Sequence, residues 1–471
     1  MAWLVLALWA MCPHVPETRC ADIEHHLAQQ QLSGSAGVAT VDVSTDGRVV
    51  AFVSLARLST VDDNTAEDIY VLERATGAIS LESARSSGRA SDGSSLHPRL
   101  SGDGRFLVFS TVATSLVGAK GEGVDAQVLR RDRTTGITTL VSRTPAGAPG
   151  NGWSGVPDIS DDGRFVVFES HATDLVAGPD SNGGGTDIYL FDAADGGVRR
   201  VSVTTAGEHP ATGQSATPAI SGTGRVVAFS STAPLDAPSG RPARQMERRS
   251  VFVRDLTDSV TRRISASRDR DGPNGESYYP AISGDGHRVA FVSTATNLDD
   301  DARARRQENI YLHDDGMPRL TLLSRSASGG AADGVSRYPA VSADGRYVLF
   351  SSDASNLHCT DRCGPSTDLN LVMDVYRLDT VTGIAERVSG GPLARDPWWN
   401  ASWGVASDGT GRIVAFSSRE PIDDADLDHD DDLFVQVLPG IADGATATEG
   451  APCAPPLARA ASGSAPIGGC M

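Results

Sequence analysis

The sequence predicts an all-β fold, a ring of seven four-stranded antiparallel blades, and three observations predict it. A small or acidic residue followed by Gly-Arg or Gly-His-Arg recurs seven times, with turn glycines at Gly47, Gly104, Gly163, Gly224, Gly286, Gly345 and Gly411. The steps between them are 57, 59, 61, 62, 59 and 66 residues, the signature of one supersecondary unit repeated along the chain. Each glycine opens an apolar run of strand length, such as Val49–Ser54 or Phe165–Ser170. The 50 Gly and 25 Pro, with few long helical periodicities, favour short strands between turns.

The third copy shows the unit in full. Pro157-Asp158-Ile159-Ser160 reads as a first strand, Asp162-Gly163 as a tight turn and residues 164–170 as the apolar second strand. After a long polar loop, Asp187-Ile188-Tyr189-Leu190-Phe191-Asp192 forms a third strand; Asp195-Gly196-Gly197 turns the chain into a fourth, residues 198–203. Four such strands make a propeller blade, and seven blades around an axis leave no exposed sheet edge between neighbours. The recurring Asp and Gly of these turns are explained by turn geometry: glycine supplies positive φ and Asp caps the turn with its side chain.

The blades fall near residues 39–86, 97–144, 156–205, 217–268, 279–327, 338–389 and 403–438. The seventh copy has no fourth strand, and residues 22–31 lie where every other unit has one, so the N-terminal segment is expected to complete blade seven. Residues 1–21 begin with an apolar stretch too short to span a bilayer and read as an export segment, although no Lys or Arg precedes it. Residues 439–471, rich in Ala, Pro, Gly and Ser, read as a disordered tail. Together these place the protein in the periplasm or outside the cell, with no membrane span in the mature chain.

The 60 Asp and Glu against 41 Lys and Arg give a formal charge of −19, which argues against nucleic acid as a partner and permits cation binding. Of the six cysteines, Cys359 and Cys363 stand close enough to close a small loop or to ligate a metal. No second pair at comparable spacing completes a zinc site, so a loop disulfide is expected. The pairing of Cys12, Cys20, Cys453 and Cys470 stays open.

The Asp-Gly-Arg turns and the Asp-Ile-Tyr third strands (Asp68-Ile69-Tyr70, Asp187-Ile188-Tyr189, with Asn309-Ile310-Tyr311) resemble the WD40-like propeller repeats of the TolB-like family, over nearly the whole chain. The resemblance implies a propeller fold. It leaves function open, since such repeats serve as binding platforms, as the propeller half of serine peptidases and in polysaccharide lyases.

Strand direction places the tight turns on one face and the long connections on the other, where function belongs. In five blades the segment leading into the first strand contains Gly-x-Ser-x-x-Pro, and its penultimate position is expected at the mouth of the central channel. Around the ring that position reads Thr40, His97, Val156, Thr217, Tyr279, Tyr338 and Trp403, with Trp398 and Trp399 just upstream of the last. Three consecutive aromatics would form a wall suited to a sugar ring or a peptide; the competing reading is that they plug the channel or pack blade on blade. Acidic loops are a second constellation: Asp424, Asp426, Asp428 and Asp432 alternate as in a calcium loop, except that His429 replaces the bend glycine. Asp180, Asn182 and Asp187, and Asp62, Asn64 and Asp68, are lesser versions. The corresponding loops of blades four and five are basic, with Arg241, Arg244, Arg248 and Arg249 in the first. No Gly-x-Ser-x-Gly nucleophile elbow is present. The expected function is an exported platform that binds a protein, peptide or glycan at the channel mouth; the alternative is a polysaccharide lyase using a metal with His97, His171, His209 or His358.

Overall fold

The computed structural model describes residues 40–118, 125–236, 248–267, 273–299, 306–358, 372–389, 402–418 and 432–438, the last two stretches beginning with backbone only at 402–403 and 432. Within them every long element is a strand, and the strands form seven antiparallel sheets in strict sequence order. Blade one, for example, runs Val41–Val43, Val49–Ser54, Asp68–Glu73 and Ala78–Leu81. Six blades have four strands; the seventh has three among the described residues, Ser402–Ser407, Ile413–Ser418 and Asp432–Val437. The N-terminal segment expected to supply its fourth strand, residues 22–31, lies outside the described residues, as do the export segment and the tail.

Each blade is organised around its second strand, which is paired on both sides and almost wholly buried. A phenylalanine there faces an aromatic on the third strand at the same register: Phe52 with Tyr70, Phe168 with Tyr189, Phe229 with Phe252, Phe291 with Tyr311, Phe350 with Tyr376 and Phe416 with Phe434. Their ring centroids lie 5.5 to 6.1 Å apart in stacked pairs. Blade two replaces the second ring with Leu129. Cross-strand aromatic pairs of this kind lock register, because a slip of one residue would turn them to the wrong face.

A second repeated device pins the third strand. The residue that opens it accepts a hydrogen bond from a serine after the fourth strand, and that serine hydroxyl accepts the next backbone N–H: Asp187 with Ser202 and Ile188, Asp374 with Ser389 and Val375, Gln127 with Ser142 and Val128. The aspartates of the Asp-Ile-Tyr strands therefore serve structure first.

The tight turns close the ring. In each of blades one to three, five and six, a serine hydroxyl donates to the turn aspartate, whose carboxylate in turn accepts the N–H after the glycine, as in Ser160, Asp162 and Arg164. All seven turn glycines have φ between 65° and 84°, where a side chain is strained. They also touch the preceding blade: a Cβ on Gly104 would lie 2.8 Å from Val49, and one on Gly411 2.6 Å from Tyr347.

Beside these glycines runs a continuous belt of backbone hydrogen bonds, one per blade junction. Asp46 N–H donates to Gly102, Gly102 to Asp161, Asp161 to Gly222, Thr223 to Gly284, Gly284 to Ala343, Asp344 to Gly409, and Gly409 back to Thr45, at 2.8 to 3.2 Å. The last bond joins blade seven to blade one, so the ring is closed at its axis. Packing closes it too, since Ala406, Ala415, Leu433 and Val435 of blade seven share a core with Val41, Val50 and Tyr70 of blade one. Thr45 also reaches Asp161, two blades away, at 2.9 Å, so the turns crowd together and pinch this end of the channel.

A side chain in the belt should disrupt it. A Cβ on Gly409 would lie 2.6 Å from the Thr45 methyl and 2.9 Å from the Thr45 carbonyl oxygen. Gly409→Val should cost about 1 to 3 kcal/mol as an overpacked site, whereas Gly330→Ala, with nothing within 4 Å, should change stability by less than about 0.5 kcal/mol. Urea denaturation of the two variants measures the difference.

Candidate functional site

The open face is shaped by a bulge that recurs at the start of the first strand. In Ser-x-x-Pro the second x breaks the register with strand two and takes a left-handed conformation: His97 (φ 55°), Val156 (46°), Thr217 (53°), Tyr279 (51°) and Tyr338 (53°). Bulges re-aim side chains, and non-glycine residues hold such φ values only where the surroundings enforce them. The proline that follows and the invariant serine, bonded to its strand-two partner as in Ser277–Ser293 at 2.9 Å, provide that enforcement.

Blade seven departs from the expected alignment. Its motif reads Ser402-Trp403-Gly404-Val405, and the left-handed residue is Gly404 (φ 52°). Trp403 pairs with Ser417 and so occupies the place of Tyr278 and Arg337. Without the proline to mark register, the sequence alignment shifted by one; the aromatic wall has two equivalent members, not three. Trp398 and Trp399 lie outside the described residues. His97 occupies the mouth position of blade two, with Nδ1 3.0 Å from the Ser110 hydroxyl, and burial together with Arg99 lowers its pKa. It is not among the residues that line the cavity holding Tyr279 and Tyr338.

That cavity, of about 530 Å³, opens over blades four to six. Tyr279 and Tyr338 form one wall, with ring centroids 5.7 Å apart and planes inclined by 45°. They are 42 % and 39 % exposed, whereas the blade-core rings of Phe291 and Tyr311 are fully buried. This separates them from packing residues. Burial still lifts the Tyr279 hydroxyl above its ordinary pKa.

The polar groups of the cavity come from a second equivalent position, just before the third strand, whose backbone carbonyl accepts the N–H of the next blade's serine. Arg249 and Glu308 occupy it in blades four and five. Glu308 is engaged by the Tyr278 hydroxyl and the Arg337 guanidinium, and burial and this bond raise the Tyr278 pKa. Arg249 donates from Nη1 to the Ser230 hydroxyl at 3.2 Å, and its backbone N–H donates to the Glu276 carboxylate at 2.7 Å. Thr217 completes a chain of hydroxyls, 3.0 Å from Ser230. Glu169, on the second strand of blade three, reaches across to accept the Thr217 N–H at 2.7 Å; burial raises its pKa. A second, more polar cavity of about 520 Å³ lies on the other side of Arg249, walled by Gly183 to Gly185, Gln214 and Thr232.

Sequence reasoning placed Arg249 in a basic loop and did not single out Glu308, Arg337 or Glu169. The available signal was positional: Arg249 and Glu308 each lie 28 residues before the first-strand serine of the next blade, Ser277 and Ser336.

Deeper in the channel, Asp42, Arg99 and Asp158 occupy one level on blades one to three, while Ala219, Ala281, Ala340 and Ala406 occupy it on the others. Arg99 lies 3.8 Å from Asp42 and 3.9 Å from Asp158. Each carboxylate accepts an amide from a neighbouring blade, Leu100 and Ile220 respectively, both at 2.7 Å. These are blade-to-blade latches.

The structure brings Asp180, Asp187 and His209 together on the long-loop side of blade three, with one ligand atom from each within 4.8 Å of the others. Arg200 fills the cluster, however: its Nη1 is 2.9 Å from His209 Nδ1 and its Nε 3.3 Å from Asp187. The same Nδ1 accepts the Ser181 N–H at 3.2 Å, so it is bare, and Nε2–H donates to Asp187. A guanidinium is already paired with Asp187, which also carries the strand-pinning bond to Ser202. In blade one, Asp62, Asn64 and Asp68 are likewise satisfied by Tyr70, Ala66 and Ser83. His171 binds the Gly184 carbonyl at 3.1 Å, and His358 is exposed elsewhere. The described histidines do not converge at the channel mouth. Asp424, Asp426, Asp428, Cys359 and Cys363, and the side chain of Asp432, lie outside the described residues.

No family model matches the chain, and no curated protein matches it. Among solved structures it is similar to the β-propeller domain of the Trilobed protease from Pyrococcus furiosus, described as having an open velcro topology: 12 % identity, 85 % of this chain and 93 % of that one, TM-score 0.50. It is similar to an oligogalacturonate lyase from Vibrio parahaemolyticus, at 12 % identity over 86 % of this chain and 91 % of that one, with TM-score 0.50. TolB from Acinetobacter baumannii overlaps less, at 18 % identity over 65 % of this chain and 57 % of that one, with TM-score 0.36. At such identities the likeness is one of fold: the protein is a seven-bladed β-propeller. No helix among the described residues is long and apolar enough to cross a membrane.

The latches make stability depend on pH. Burial pushes Asp158 up to about 6 from 3.8, against the opposing pull of Arg99 and the Ile220 amide. A carboxyl whose folded pKa is raised contributes stability that is complete below its unfolded pKa and lost as pH rises through the folded one. Between pH 4 and pH 7 this costs up to about 3 kcal/mol. Asp158→Asn keeps an acceptor for Ile220 and removes the charge, so it should melt higher than the wild type at pH 7.5 and show a flatter melting profile from pH 4 to 7. Thermal melts across that range check it.

Proposed function

We propose that this protein is an exported binding platform whose ligand, a peptide or a glycan, lies in the mouth cavity over blades four to six. One observation carries the reading: Tyr279 and Tyr338 present exposed rings side by side into a cavity that also holds arginine and glutamate side chains. Pockets of a few hundred Å³ with aromatic walls and a few fixed polar groups are what small-ligand sites look like. The lyase alternative calls for a metal and a histidine acting at one place, and the acid–histidine cluster of blade three is occupied by Arg200. Similarity to oligogalacturonate lyase is a matter of fold and does not shift that balance.

Tyr338→Ala and Tyr279→Ala test the reading. Each should weaken binding of a ligand recovered from a glycan and peptide array by about 1 to 3 kcal/mol, while shifting stability by no more than about 0.5 kcal/mol, as exposed substitutions do. Losses of about 3 to 5 kcal/mol in folding stability would mark the rings as packing residues instead.

We further propose weak calcium binding by Asp424, Asp426, Asp428 and Asp432, whose alternation lets several carboxylate oxygens converge on one hard cation. The dissociation constant should fall at about 10⁻⁴ to 10⁻³ M, typical of extracellular modules. Millimolar calcium should then raise the melting temperature, and Asp426→Ala should remove that rise; a melt indifferent to calcium contradicts it.

A further inference from the structure

Arginines of this protein commonly meet a carboxylate. Arg105 meets Asp132, Arg164 meets Asp192, Arg225 meets Asp255 and Arg346 meets Asp379, on the tight-turn side; at the mouth Arg337 meets Glu308, and deeper in the channel Arg99 lies between two aspartates. Arg249 does not: like Arg130, Arg143 and Arg254, which use backbone carbonyls or hydroxyls, it makes no ion pair among the described residues, but it alone of these four lines the mouth cavity. Its guanidinium has the Ser230 hydroxyl as its hydrogen-bond partner, and among the described residues no carboxylate stands within 4.0 Å of it. Its position is nevertheless fixed, because its backbone N–H and carbonyl are both bonded to the start of blade five, through the Glu276 carboxylate and the Ser277 amide. A guanidinium presents five donors in a rigid fork; among the described residues Ser230 engages only one of them, and Arg249 borders both cavities.

A partly buried guanidinium calls for a carboxylate, its best bidentate partner. The surrounding charge limits how many carboxylates the ligand can carry. Glu276, Glu308 and Arg337 line the same cavity, with Arg337 paired to Glu308; Glu169 lies beside it, where burial raises its pKa against the opposing pull of the Thr217 amide and the Arg249 charge, and the chain as a whole is at −19. A polyanion, such as a polyuronate with a carboxylate on every ring, would meet this field repeatedly, whereas a ligand with a single carboxylate meets it once and at its one favourable point. The location of Arg249 between two cavities also places that carboxylate in the middle of the ligand. A side-chain acid within an extended peptide satisfies both conditions.

We propose, building on the platform reading, that the mouth binds a linear peptide whose single acidic side chain pairs with Arg249. One flank of the peptide lies on Tyr279 and Tyr338, where Glu276 and Glu308 accept its amide or cationic groups. The other lies in the polar cavity walled by Gly183 to Gly185, where the absence of side chains leaves room for backbone.

The test uses the full-length protein immobilised and two blocked pentapeptide libraries, acetylated and amidated at their ends. One has Asp at the centre and the other its uncharged isostere Asn, and neither has another acid. Mass spectrometry should find the Asp library retained roughly tenfold or more over the Asn library, the discrimination expected for a charge-assisted pair. Arg249→Gln should erase the preference and Arg249→Lys should keep part of it, with melting temperatures unchanged in both; Ser230→Ala, which removes the hydroxyl steadying the fork, should reduce it. Equal retention of the two libraries, or a preference that survives in Arg249→Gln, overturns the proposal. Retention of a neutral or uronate trisaccharide, lost in Tyr338→Ala but with no peptide retained, overturns it while leaving the platform reading standing. Retention of neither peptides nor glycans would remove both.

Discussion

The belt of seven backbone hydrogen bonds around the axis is the constraint on which the rest of the architecture depends. Each bond joins a tight turn to the turn of the next blade, and the seventh returns from Gly409 to Thr45. At Gly102, Gly222, Gly284 and Gly409 a side chain would crowd the neighbouring turn, a Cβ on Gly222 running into the Asp161 carboxylate and one on Gly284 lying 2.9 Å from the Ala343 carbonyl oxygen, which accounts for glycine at these points of the belt. Buried backbone donors need partners, and here the partner always belongs to the next blade. The consequence is a narrow, rigid end from which the blades splay, and an open end whose shape is set by what each blade places at its bulge.

At the open end the repeat uses strain in a regular way. Five non-glycine residues take left-handed backbone conformations at the same place in successive blades, including β-branched Val156 and Thr217, for which the conformation is least comfortable. Because the serine below and the proline above fix the bulge, the residue at its tip can change without disturbing the aromatic pairs of the core. This separates the two kinds of ring in the protein. Phe291 and Tyr311 are required by register and are buried; Tyr279 and Tyr338 are required by nothing in the blade and face the channel. The same reasoning applies to Arg249 and Glu308, alike in position and opposite in charge.

Much of the fold is legible in the sequence because its determinants are local. The turn glycines mark a backbone conformation, and the short continuous apolar runs of strands two and three mark strands buried on both faces. The site is less legible. Tyr279 and Tyr338 could be placed by counting from Ser-x-x-Pro, but in blade seven Val405 stands where that proline would be, and the count put Trp403 where Gly404 belongs. Asp180, Asp187 and His209 read as potential ligands because sequence does not reveal that Arg200, on the neighbouring fourth strand, points into the same cluster. Arg249 was hidden in a run of arginines; its significance depends on its lying between two cavities with no paired carboxylate among the described residues, which only the packed structure shows.

Hydrogen exchange at the amides of the belt tests the central claim most directly. If one closed ring of bonds holds the blades about the axis, then Asp46, Gly102, Asp161, Thr223, Gly284, Asp344 and Gly409 should exchange slowly and at a common rate, through global unfolding alone. The Gly409 amide at the seam between blades seven and one should be as protected as the Thr223 amide across the ring. Rapid exchange confined to Gly409 and its neighbours, with the other amides protected, would mean that the ring opens at that seam and that the belt does not carry the fold.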